Sequence, residues 1–73
     1  MPRLQHHEIA RQLKEKAQLS RDEAHRFRVE AVASNDLDLF RIADLCEKFA
    51  DDAEALAKIF SQMKYLYSLL QAN

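Results

Sequence analysis

Few residues in this chain have side chains that could carry chemistry, and they are scattered. His6, His7 and Glu8 stand side by side. Adjacent residues on a helix point about 100° apart, so the two imidazoles do not form the i, i+4 pair that chelates a metal. No cysteine or acidic cluster completes them, and no metal site is expected. His25 lies in a stripe of charged side chains and reads as a solvated or ion-paired residue, not as a base. Cys46, the single cysteine, falls on an apolar helical frame, where a small buried residue is expected in place of a redox or nucleophilic thiol. With one cysteine there is no disulfide framework. No spacing brings a nucleophile, a base and an orienting group together. The chain has no glycine and its one proline is Pro2, which excludes Gly-rich phosphate loops, dinucleotide fingerprints and nucleophile elbows. We therefore expect a protein that is not an enzyme and that holds no cofactor.

The remaining chemical resource is charge. Arg11, Lys14, Gln18, Arg21, His25 and Arg28 follow the three-four spacing of one helix face, and Asp44, Glu47, Asp51 and Glu54 follow it on another. In an antiparallel pair these stripes lie on the same side, so Arg21, His25 and Arg28 can reach Glu54, Asp51, Glu47 and Asp44. Exposed ion pairs add little stability, so the stripes set orientation more than strength. Arg11 and Lys14 then fall opposite the Phe60 to Met63 region, where no acid waits. Arg3, Lys58 and Lys64 gather at that end, while Asp36, Asp38 and Asp44 mark the other. The basic end can receive RNA, DNA or an acidic protein segment, and the basic stripe of the first helix, with Arg11, Lys14, Arg21 and Arg28, is a candidate nucleic-acid contact surface.

Two helices must position these groups. Leu39, Cys46, Ala53, Phe60 and Tyr67 recur every seven residues, and Ile42, Phe49, Leu56, Met63 and Leu70 follow three residues behind. That run is an unbroken helical seam over about 38–71. Upstream, Ala10, Ala17, Ala24 and Ala31 repeat at the same interval, with Leu13, Ser20, Phe27 and Ser34 in the companion frame, over a helix at about 6–33. Small side chains there let a partner helix approach closely. The turn belongs at 34–38, where Asn35 or Asp36 can cap the second helix and Asp38 favours its dipole. Folding about Leu37 brings Ala31 to Ala43, Ala24 to Ala50 and Ala17 to Ala57. A competing signal is Ser20 with Glu23, a capping box flanked by Leu19 and Ala24 as a staple, which would start a new helix at Arg21.

The expected architecture is all-α: one domain over 1–73, an antiparallel helical hairpin. A chain of 73 residues buries only about 60% of its unfolded surface, so its core is marginal and self-association is the natural remedy. The face collecting Leu13, Phe27, Leu39, Ile42, Cys46, Phe49, Leu56, Phe60 and Met63 is too apolar for a lone hairpin to cover. A homodimer forming a four-helix bundle is the simplest arrangement. The last turns carry a further apolar surplus in Ile59, Tyr65, Leu66, Tyr67, Leu69 and Leu70, suited to a helix-in-groove contact with another protein unless Leu4, Ile9 or a dimer mate covers it. No apolar run approaches the roughly 20 residues of a membrane span and the N-terminus lacks a signal-peptide core, so a cytoplasmic location is expected.

Asn35, Leu37, Asp38, Ala43, Asp44, Cys46, Glu47, Asp51, Ala53 and Leu56 together resemble the second helix of the Rop family, small plasmid-encoded RNA-binding proteins that are dimers of helical hairpins. The resemblance implies a helical hairpin that dimerises. The family's RNA contacts lie on its first helix, which this chain does not match in frame or composition, so no RNA-binding residue is carried over. Ile9-Ala10 and the run Leu13 to Ala24 are also similar to the opening helices of several bacterial DNA-binding domains, whose remaining recognition elements are absent. The leading expectation is an adaptor, small chaperone or regulator that binds itself and another protein; the competing one is a nucleic-acid-binding regulator.

Overall fold

The computed structural model describes residues 5–71, apart from the side chains of Lys64 and Tyr67. Arg3 and Leu4 lie outside the described residues. Two antiparallel helices make up the fold: α1 spans His6–Ser34 and α2 spans Leu37–Gln71. They pack along one seam into a slab of 60 × 22 × 13 Å. The shortest dimension is that of a single layer of helix, so each helix has one neighbour and otherwise faces outward.

Only Asn35 and Asp36 connect the helices, a tighter turn than the 34–38 expected from the cap residues. Asn35 closes α1 instead of opening α2. Its backbone is left-handed, at φ 54° and ψ 45°, and its amide donates to the Ala31 carbonyl. Asparagine serves where glycine is absent because its short polar side chain tolerates this region. The Asp36 amide also reaches the Ala31 carbonyl, at 3.1 Å. Asp36 then caps α2, its Oδ1 accepting the Asp38 amide at 2.9 Å. Asp38 lies in the first turn, where its charge suits the helix dipole. Ser34, expected in the turn, is helical and its Oγ donates to the Glu30 carbonyl at 2.8 Å.

The seam is alanine. Ala17, Ala24 and Ala31 of α1 and Ala43, Ala50 and Ala57 of α2 are 0% exposed, with Ala10 and Ala53 nearly so. Ala17 clusters with Ala50 and Ala53, and Leu13 packs against them. This stagger departs from a face-to-face pairing of Ala17 with Ala57, because a side chain on one helix seats between residues of the other, not on top of one. Among the described residues no large side chain is fully buried.

α1 runs through Ser20 without a break. The Ser20 hydroxyl does not cap a new helix; it donates to the Cys46 carbonyl across the seam at 2.8 Å. Leu19, the other half of the expected staple, is exposed.

Candidate functional site

The alanine seam divides the hairpin into two flanks. On one, Arg28 Nη2 meets Asp44 Oδ1 at 3.0 Å and its Nη1 meets Glu47 Oε1 at 2.5 Å. One heptad along, Arg21 Nη2 meets Asp51 Oδ1 at 3.0 Å and Glu54 Oε1 at 2.9 Å, and its Nε adds a bond to Glu54 at 3.2 Å. Each guanidinium therefore bridges an aspartate and a glutamate three residues apart on α2. A planar fork of donors suits that arrangement better than an ammonium does. The hydrogen bond from Arg28 holds the Glu47 carboxyl below its ordinary range. Glu47 and Asp44 in turn raise Arg28, as Glu54 and Asp51 raise Arg21, through the same hydrogen bonds.

Sequence spacing anticipated both of these arginines and all four acids, but not the partners of their neighbours. Arg11, expected to face a region without acids, is held within its own helix by Glu8 at 2.7 Å and Glu15 at 2.6 Å. Local i, i+3 and i, i+4 partners lie within reach whatever the opposite helix offers. The Glu8 hydrogen bond raises Arg11, and Arg11 lowers Glu8. His25 is exposed and makes no ion pair or hydrogen bond among the described residues, so the expected reach to the acids of α2 is not made. Of the candidate nucleic-acid contacts, Arg11, Arg21 and Arg28 each sit between two carboxylates, and Lys14 alone is outside any ion pair among the described residues.

The opposite flank is apolar and open. Leu13, Phe27, Leu39, Cys46 and Phe60 are half-buried beside the seam. The His6 ring lies 6.0 Å from that of Phe60. Cys46 is half-buried and not the buried seam residue expected, because the fully buried seam frame of α2 is that of Ala43, Ala50 and Ala57 beside it. Farther out on α2, Ile42, Phe49, Leu56 and Met63 are exposed, Phe49 by 54%. Ile59, Leu66 and Leu70 continue this exposed face, whereas Tyr65, in the heptad frame of Asp44 and Asp51, and Leu69 one turn later are exposed toward the charged flank; the Tyr67 side chain lies outside the described residues.

Sequence reasoning overlooked Leu45. With it, Ile42, Leu45, Phe49, Leu56, Ile59, Met63, Leu66 and Leu70 advance by alternating steps of three and four, all exposed, interrupted only at Asp52. This is the pattern of a helix-pairing seam, and it points away from α1. The i, i+3 step from Ile42 to Leu45 would have found it.

Among the described residues no helix is long and apolar enough to cross a membrane, and no group of three or more His, Cys, Asp or Glu could hold a metal ion. Fold and surface together define a two-helix hairpin with one charged flank and one apolar flank. No family model, curated protein or solved structure matches the chain.

Proposed function

We propose that this protein is a non-enzymatic helical interaction protein, an adaptor, small chaperone or regulator, that acts by pairing with a second copy of itself and by binding another protein. The observation that carries the reading is the outward heptad stripe on α2 from Ile42 to Leu70, exposed along its length. Each large apolar side chain contributes about 1.5–3 kcal/mol when buried, so covering the stripe is strongly favourable.

Surface area supports the same reading. A globular chain of 8.5 kDa is expected to expose about 4,650 Å². This hairpin exposes 6077 Å². The excess, about 1,400 Å², is larger than the roughly 800 Å² that each partner buries in a standard interface. A second hairpin laid on the apolar flank supplies the missing layer and makes a four-helix bundle. Light scattering across a concentration series tests this: the expected mass is twice that of the chain, and a folded monomer at high concentration would overturn the self-association model.

A further inference from the structure

The charged flank is built from a unit that repeats every heptad, and its third copy lacks the acids. Arg28 bridges Asp44 and Glu47, and Arg21 bridges Asp51 and Glu54. Each step of seven back along α1 is matched by a step of seven forward along α2. One more step puts Lys14 in the place of the arginine, with Lys58 and Ser61 in the places of the two carboxylates. The helices keep their register at this level, since Ala10, Ala17 and Ala57 are all buried in the seam and His6 meets Phe60 on the far side. Among the described residues neither Lys14 nor Lys58 takes part in an ion pair. Two ammonium groups therefore occupy a unit whose other copies bind carboxylates.

Apolar surface adjoins it. Tyr65 lies one heptad beyond Lys58 and is 66% exposed, and Leu69 follows one helical turn later, also exposed. Glu8 and Glu15 flank Arg11 at the edge of the unit. Their negative charge disfavours the dense phosphate array of a nucleic acid more than it does one or two carboxylates.

We propose that this open unit docks an acidic amphipathic helix from another protein. Carboxylates three residues apart on that helix take the places that Asp51 and Glu54 hold beside Arg21, and its apolar side chains cover Tyr65 and Leu69. The proposal rests on the reading of the chain as a protein-binding module but not on self-association, because the apolar stripe belongs to the opposite flank.

The test is a fluorescence-anisotropy titration of the whole chain. The probes are a labelled helical peptide of ~20 residues with Glu at i and i+3 beside a leucine stripe, the same peptide with Gln for Glu, and a labelled RNA duplex. The acidic peptide is expected to bind about tenfold more tightly than its Gln counterpart. Lys14→Gln with Lys58→Gln should abolish that preference. Lys58→Asp with Ser61→Glu, which supplies the missing acids from within the chain, should abolish it too while circular dichroism reports an intact hairpin. Equal binding of the two peptides, a preference that survives in the Lys14→Gln, Lys58→Gln variant, or capture of the RNA duplex in place of the acidic peptide overturns the proposal. Light scattering on the same samples separates the two readings. A monomer that prefers the acidic peptide removes the dimer and keeps this site, and a dimer indifferent to the peptide does the reverse.

Discussion

The two flanks of the alanine seam are made of equally regular heptads and come to opposite ends. On the charged flank both turn-proximal arginines find partners inside the hairpin: Arg21 and Arg28 fold over the seam onto α2, while His25 between them stays in solvent. On the apolar flank Leu13, Phe27, Leu39 and Phe60 are only half-buried, and the stripe beyond them is exposed. The difference lies in reach and partner type. A flexible charged side chain satisfies itself by extending a few ångströms across a narrow seam, whereas an apolar one needs surface on all sides, which two helices do not provide. One flank thus aligns the hairpin, and the other is left exposed by it.

The largest effects should come from charging the open flank. Phe49→Asp with Leu56→Asp is expected to weaken self-association by about a hundredfold or more, read as a fall in mass by light scattering. Arg21→Ala with Arg28→Ala should leave the mass unchanged; if it halves the mass as well, the two flanks do not divide orientation and assembly between them. Next in size is Ala50→Leu. It places a large side chain where none fits, and should destabilise the hairpin by about 1–3 kcal/mol in urea unfolding.

Filling the single gap in the apolar stripe works in the other direction. Asp52→Leu is expected to tighten self-association by about tenfold and to loosen its register, since a lone polar residue in such a seam sets alignment at a cost in affinity. A weaker dimer would show that Asp52 has a partner in the second copy. Asp36→Ala removes the cap of α2 and should cost about 1 kcal/mol of stability by thermal unfolding, without altering mass.

The smallest effect is the pH response of the charged flank. Arg28 depresses Glu47 below the ordinary value of 4.5. The unfolded chain therefore takes up a proton on this residue first as pH falls, and the stabilisation present above 4.5 is lost as pH drops through the lower folded value. Melting temperatures followed from neutral to acid pH should decline less steeply in Glu47→Gln than in the parent. Identical slopes would mean the Arg28 contact is too well solvated to matter.

Much of this fold was legible in the residues alone. The absence of glycine, the alanine heptads and the clustered cap residues near 35 give two helices and their turn, and the three-four spacing of Arg21, Arg28 and the four acids of α2 gives the charged flank. These features depend on which residues share one face of a helix, and that is a local property of a regular backbone. The tertiary structure decided what each face meets. It assigned Asn35 to close α1 and Asp36 to open α2, and gave the Ser20 hydroxyl to the Cys46 carbonyl in place of a new helix start. It left His25 in solvent, and Arg11 with Glu8 and Glu15 instead of an empty far side. It also showed that the heptads of α2 serve two directions, alanine inward to α1 and large apolar residues outward. Periodicity names a face, but the choice between a neighbour one turn away and one across the seam depends on the stagger and rotation of the two helices, which only their packing sets.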